Sequence, residues 1–197
     1  MSLTSACFTD IGQQRSVNQD NVFADEKGDY GIYVVSDGMG GHSKGEMASG
    51  KAVEMIGDWW KRNYTILKNS TTEEITNTIS ELIQNINAEI FAMYQEQKLT
   101  GGATLSMLII RDTSYLLFTI GDSRVFEIKK KKVQQISVDD VWESLAVNRY
   151  KSEAELMADP RYGTLTQRDL SEILMTIKDK VYSYGALDNL TGILVRV

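Results

Sequence analysis

The stretch Tyr30-Gly31-Ile32-Tyr33-Val34-Val35 runs without a break into Ser36-Asp37-Gly38-Met39-Gly40-Gly41-His42-Ser43-Lys44-Gly45. Its first half is β-branched and aromatic, the composition of a strand packed on a pleated surface. Its second half sets a carboxylate, Asp37, at the end of that strand with a glycine directly behind it. Beyond the glycines, Ala48, Ala52, Ile56 and Trp59 recur every three or four residues, the spacing of a helix face. Strand, glycine loop and helix is also the order of a phosphate-cradling nucleotide loop, but the residues exclude that reading. Counted from Gly38, Ser43 stands where G-x-G-x-x-G needs its third glycine. Counted from Gly40, the string reaches Gly45, but Glu46 stands where a P-loop requires lysine. Asp37 at the mouth would also repel a pyrophosphate.

Outward from this stretch, Ala6 to Ile11 and Asn21 to Ala24 read as two short strands upstream. Downstream, Ile75, Ile79, Leu82, Ile83, Ile86, Ile90, Met93 and Tyr94 keep one apolar stripe, which predicts a helix from about Thr72 to Gln97. Thr71 or Thr72 can cap it, with Glu73 and Glu74 in the favourable first turn. Thr104 to Ile110, Tyr115 to Ile120, Arg124 to Ile128 and Val133 to Ile136 read as a meander of short strands. Its turns fall at Arg111-Asp112 and across Lys129 to Lys132, a solvated basic run. A helix near Leu170 to Tyr182 and a strand from Leu190 to Val197 close the chain, and residues 139 to 170 give no clear element. Strand blocks separated by a pair of helices predict antiparallel sheets with segregated helices, an α+β arrangement and not a βαβ alternation.

Composition bounds the function classes. The chain has 197 residues and one proline, with no linker-like stretch, so residues 1–197 read as a single domain. A net charge of −6 argues against a nucleic-acid binder. Cys7 is the lone cysteine, which excludes an internal disulfide and a cysteine-rich zinc site. No apolar run approaches the ~18 residues of a membrane span, and the opening residues carry no signal-peptide pattern. A cytoplasmic protein is expected.

The chemistry-bearing feature is a set of aspartates at strand tips: Asp20, Asp37, Asp122 and Asp188. One aspartate in a turn ordinarily bonds its own backbone. Four that converge would offer the hard oxygen donors that suit Mg²⁺ or Mn²⁺. Two dications ~4 Å apart repel by roughly 17 kcal/mol at an effective dielectric near 20, so a binuclear site needs several carboxylates, one preferably bridging. Its product is a bound water acidic enough to attack a phosphate ester at neutral pH. Arg15, close before Asp20, is placed to clamp the phosphoryl oxygens with its guanidinium fork.

The order of these segments carries a resemblance. Arg15-Ser-Val-Asn18-Gln-Asp20, Val35-Ser-Asp37-Gly38-Met-Gly-Gly-His42, Gly102-Ala-Thr104, Gly121-Asp122-Ser-Arg124 and Asp188-Asn189-Leu-Thr191 resemble successive motifs of the metal-dependent protein phosphatases of the 2C type. The form of the second motif resembles the bacterial branch. The resemblance implies a four-layer αββα sandwich that removes phosphate from phosphoserine and phosphothreonine in proteins, using two Mg²⁺ or Mn²⁺ ions. It implies that Arg15 binds the substrate phosphate, Asp20 holds the second metal, and Asp37 bridges both, with the Gly38 carbonyl as a further ligand. Asp188 would hold the first metal, Asp122 would serve a weaker third one, and Asn189 and Thr191 would shape the strand entry behind Asp188. The implied partners are phosphorylated substrates of a serine/threonine kinase, met by a monomer. His42, the single histidine, is open to a general-acid or a loop-structuring role.

One motif is missing. The family carries a second Ser-Asp-Gly strand between the Asp122 motif and the final Asp-Asn, and its aspartate ligates the first metal. Here Asp37-Gly38 is the only Asp-Gly pair. The expectation is a sandwich shortened by one strand region near the C-terminus, with Asp139, Asp140 or Asp169 as candidate replacements for the lost ligand. Two functions follow: a phosphatase with a weakened metal site, or a catalytically impaired phosphatase-like domain that binds phosphoproteins or regulates a kinase.

Overall fold

Strand β3 (Tyr30–Met39) is the spine of the molecule. The structure, a computed structural model, describes residues 3–40, 44–130, 132–140, 170–183, 185–186 and 188–197. Ile32 and Val34 on β3 are fully buried towards one layer of helices, while Tyr33 between them is buried towards the opposite side. β3 does not stop at Val35 as its composition suggested. It runs through Asp37 and Gly38 to Met39, because β4 (Gly102–Ala103) pairs with Gly38 and Met39 and continues their hydrogen bonding.

Around β3 lies an antiparallel sheet in the order β2 (Asp20–Lys27), β3, β5 (Leu105–Arg111), β6 (Ser114–Ile120). Helices α1 (Gly45–Asn63), α2 (Ile66–Asn69) and α3 (Thr72–Gln97) cover one face. Ile56 and Trp60 of α1, Ile75 and Ile79 of α3, and Met107 and Ile109 of β5 fill the interior with almost no exposure. The aromatic that ends the α1 stripe is Trp60, not Trp59. Trp60 lies four residues after Ile56, and its ring N–H donates to Asp25 Oδ2 at 2.7 Å, so the indole is buried with its polar atom satisfied. Helix α3 matches its predicted limits. Thr71 Oγ1 accepts from the Glu74 N–H at 3.2 Å, and the Glu74 carboxylate accepts from the Thr71 N–H at 2.7 Å, a reciprocal cap.

On the other face, β1 (Thr4–Asp10) and β9 (Leu190–Arg196) form an antiparallel pair. Their side chains meet the central sheet through Leu3, Tyr33, Ile110, Leu108, Ile193 and Val195. Helix α4 (Leu170–Ser183) packs outside β1 and β9, with Ile173 and Leu174 buried. The layers run helix, sheet, sheet, helix, as expected.

The predicted four-strand meander is two separate hairpins among the described residues. β5 pairs with β6, and β7 (Phe126–Lys129) pairs with β8 (Lys132–Gln135) across the lysine turn. Between them the chain turns at Gly121, whose φ is +94°. No helix among the described residues is long and apolar enough to cross a membrane. The expected loss of a strand region falls mainly on residues 141–169, outside the described residues, as do His42 and Asp169.

Candidate active site

Asp20 opens β2, Asp37 stands near the end of β3, and the antiparallel register places them directly opposite one another. Their carboxyl groups lie within hydrogen-bonding reach. Burial, then the negative charges of Asp20, Asp188 and Asp122, push Asp37 up to about 6. Burial also raises Asp20. Hydrogen bonds from the Thr191 hydroxyl, at 2.7 Å, and from Asp37 oppose that rise, and the charge of Asp188 adds to it. Asp20, Asp188 and Asp122 thus all lie within electrostatic reach of Asp37.

Backbone carries Asp37 on both sides. Its N–H donates to Thr104 Oγ1 at 3.0 Å, and its carbonyl accepts from the Thr104 N–H at 2.8 Å. Thr104 Oγ1 also bonds Ser123 Oγ at 2.7 Å, which ties the Asp122 turn to β3. The next residue, Gly38, donates its N–H to the Gln19 carbonyl at 3.1 Å. Gly38 also touches the start of α1: a Cβ there would lie 2.1 Å from the Gly45 carbonyl oxygen. Only glycine allows that approach of two backbones.

Arg15 rises from a loop between β1 and β2. Its guanidinium donates to Asp188 Oδ2 at 2.7 Å, with both side chains at least half exposed. The two residues expected to take phosphate and metal thus hold each other. An exposed pair of this kind contributes at most about 1 kcal/mol, so it yields readily to a dication at Asp188 or a phosphate at Arg15. Asn189 fixes the loop. Its Oδ1 accepts from the Gln19 N–H at 2.9 Å, and its Nδ2 donates to the Ile11 carbonyl at 2.9 Å and the Val17 carbonyl at 3.0 Å. The sequence placed Asn189 behind Asp188 but gave no sign that one amide holds both ends of the Arg15 loop. Thr104 stands in the sequence only as part of the Gly102-Ala-Thr104 motif, with no role given to it, and Ser49 carries no signal at all, because neither has chemistry of its own.

Asp139 is not free to replace the lost ligand. One of its carboxylate oxygens accepts from Arg124 Nε at 2.9 Å and Nη2 at 2.8 Å, and the other from Gln135 Nε2 at 2.9 Å. Its side chain is 7% exposed, so this pairing satisfies a nearly buried charge. Asp140 is exposed, and its N–H donates to the Gly121 carbonyl at 2.8 Å, beside the Asp122 turn.

The donor set suits a hard dication. Two opposed carboxylates whose charge burial disfavours, Asp37 further so because of the charge of Asp20, are relieved by a positive charge between them, and Gly38 adds a backbone carbonyl nearby. Among the described residues, however, no group of three His, Cys, Asp or Glu side chains closes tightly enough to hold an ion by itself. Any ion held at Asp20 and Asp37 therefore needs Asp188 to leave Arg15, or oxygens from water or substrate.

A family model described as protein phosphatase 2C matches residues 11–176. The serine/threonine phosphatase stp of Listeria monocytogenes is 35% identical over 164 residues, covering 80% of this chain and 63% of the relative. Protein phosphatase PhpP of Streptococcus pneumoniae is 32% identical over 165 residues, covering 81% of this chain and 65% of the relative. The chain thus spans a little under two thirds of the length of these relatives. Among solved structures, the Mycobacterium tuberculosis serine/threonine phosphatase PstP/Ppp aligns with a TM-score of 0.79 at 20% identity, covering 100% of this chain and 99% of that one. An S. agalactiae serine/threonine phosphatase aligns with a TM-score of 0.81 at 21% identity, covering 99% of both chains. At that identity the two structures speak for the fold.

Proposed function

The chain belongs to the protein phosphatase 2C family, and from that premise we propose that it hydrolyses phosphoserine and phosphothreonine in proteins with the help of Mg²⁺ or Mn²⁺. The observation that carries the proposal is the register pair Asp20 and Asp37, two carboxylates set face to face although burial and repulsion disfavour their charge. Fold stability does not call for that pair, and a dication does. In this reading Asp37 would be shared by two ions, Asp20 would hold the second, and Asp188 would hold the first together with the Gly38 carbonyl. The metals supply a water acidic enough to act as nucleophile at neutral pH.

The remaining work falls to the chain's own residues. Arg15, released from Asp188, takes the phosphoryl oxygens with its fork and so orients phosphorus towards the Asp20–Asp37 edge. Asn189 keeps the Arg15 loop against that edge. Thr191 donates to Asp20 and favours its charged, donor-competent form. Asp122, exposed on its turn, contributes long-range charge and at most a weak third site.

The test is turnover of a chromogenic aryl phosphate and of a phosphothreonine peptide in the presence of Mn²⁺. Asp37→Asn should abolish both the hydrolysis and the rise in melting temperature that Mn²⁺ produces. Mn²⁺ stabilisation that survives intact in the variant would remove Asp37 from the centre.

A second reading is favoured by the engagement of Asp139 with Arg124, which takes one candidate substitute ligand away. In it the domain binds phosphoproteins without turning them over. Saturable phosphopeptide binding with no Mn²⁺-dependent hydrolysis would select it.

A further inference from the structure

Ser49 lies inside α1, fully buried, four residues beyond the helix start. A serine at such a position ordinarily returns its proton to the carbonyl four residues earlier in its own helix. Here that acceptor, the Gly45 carbonyl, is 3.4 Å away, and the Glu46 carbonyl is 3.5 Å away. The Gln19 carbonyl, just before β2, is at 2.5 Å, so the single hydroxyl proton goes there. The oxygen's lone pairs accept from Asn21 Nδ2 at 2.9 Å. The hydroxyl therefore grips the residues on both sides of Asp20. The Gln19 carbonyl it holds is also the acceptor for the Gly38 N–H, at 3.1 Å. One buried hydroxyl thus fixes the backbone of Asp20 and, through one shared carbonyl, that of Gly38.

We propose that Ser49 is a positioning residue for the metal centre, setting the spacing between the Asp20 carboxylate and the Gly38 end of β3. The inference rests on the metal-dependent reading above. Ser49 touches neither substrate nor metal, so its effect is on how well the donors are arranged before an ion arrives. Removing the hydroxyl leaves the Asn21 amide without its acceptor and the Gln19 carbonyl with one donor fewer. Groups that orient metal ligands from behind typically change affinity by about 10–100-fold. Ser49 acts through backbone, which places it near the lower end, at about tenfold.

The experiment compares Mn²⁺ binding by calorimetry to the full chain and three variants, below the melting temperature of each. Ser49→Ala should bind Mn²⁺ about tenfold more weakly. Asn21→Ala, which removes the partner amide and keeps the serine, should weaken binding in the same sense, and the double variant should lose less than the product of the two. Ala52→Gly, also buried on α1 but outside this network, supplies a matched loss of helix stability and should leave Mn²⁺ affinity unchanged. Ser49→Ala or Asn21→Ala that binds Mn²⁺ as Ala52→Gly does would overturn the inference, since stability alone would then explain the serine. Should Ser49→Ala not fold, Asn21→Ala decides the matter by itself. A parent chain that takes up no Mn²⁺ would overturn the metal reading itself and this inference with it.

Discussion

Gly45→Ala and Gly50→Ala add the same methyl group to the same helix and are expected to move stability in opposite directions. Inside a helix, alanine is favoured over glycine by about 1 kcal/mol. A Cβ at Gly50 would meet only Asn21 Nδ2, at 3.7 Å, an ordinary contact. Gly50→Ala should therefore stabilise the chain by about 0.5–1 kcal/mol. A Cβ at Gly45 would sit 2.5 Å from both the carbonyl carbon and the carbonyl oxygen of Gly38. Reaching an ordinary separation of ~3.5 Å needs a retreat of about 1 Å by the helix start or by β3. Neither yields freely, because Gly38 is paired with Ala103 and bonded to the Gln19 carbonyl. Overpacking of this kind costs about 1–3 kcal/mol, and the helix preference offsets part of it, leaving a net loss of about 1–2 kcal/mol. For a chain of this size that is about 3–6 °C in Tm. The assay is thermal unfolding followed by circular dichroism, with and without Mn²⁺. Gly45→Ala should also lose part of its Mn²⁺ stabilisation, since the retreat displaces the Gly38 carbonyl. A Gly45→Ala variant as stable as the parent would refute the close approach of the two backbones.

Other outcomes are expected at the edges of the site. Lys178, then Tyr182 and the Gly12 N–H, hold Asp10 down at about 2, below its ordinary 3.8. The stability this contributes is therefore present above about pH 4 and lost as pH falls towards 2. With both side chains about one fifth exposed, solvent screening leaves about 1 kcal/mol. Urea midpoints of the parent and Asp10→Asn should differ at pH 7 and converge near pH 2.5. Asn189→Ala removes three hydrogen bonds at the ends of the Arg15 loop and should cost about 1–3 kcal/mol. It should also raise KM for a phosphopeptide more than it lowers kcat; a stability loss with unchanged KM would return Asn189 to a purely structural role. Hydrolysis should climb steeply through millimolar Mn²⁺, because one family carboxylate is missing and Asp139 is committed to Arg124. Two sites filled at micromolar Mn²⁺ in a calorimetric titration would sink that expectation.

Much of the fold was legible because its signals are local. The stripe from Ile75 to Tyr94 and the Thr71–Glu74 cap set the limits of α3 within one residue. The β-branched run from Tyr30 to Val35 announced β3. Its extension to Met39 was hidden, because Gly38 and Met39 become strand only through pairing with Gly102 and Ala103, more than sixty residues away. The choice of Trp60 over Trp59 was hidden for a similar reason. Both fit the period, and only the reach to Asp25 on β2 decides which ring turns inward. The predicted third strand begins only at Phe126, with Arg124 outside it and paired with Asp139.

The site divides along the same line. Residues with their own chemistry (Asp20, Asp37, Asp188 and Arg15) could be picked out because charged side chains at strand tips and in the loop before β2 have no core-packing purpose. Those that hold them in place, Thr104, Ser49 and Asn189, are neutral residues whose hydrogen bonds join segments distant in sequence, so what they hold is visible only in the fold. The physical consequence is an imbalance. Asp37, pushed up to about 6, is held in a place where its charge is unwelcome, and buried hydroxyls and amides keep it there. A fold that sets its polar bonds to maintain repulsion between carboxylates departs from local consistency at one place, and such departures mark function. The missing Ser-Asp-Gly carboxylate acts on both sides of that imbalance. It withdraws attraction for the ions, and it also withdraws one source of repulsion within the protein. On the proposed function, a weaker metal centre and a less strained metal-free site would therefore come from the same loss.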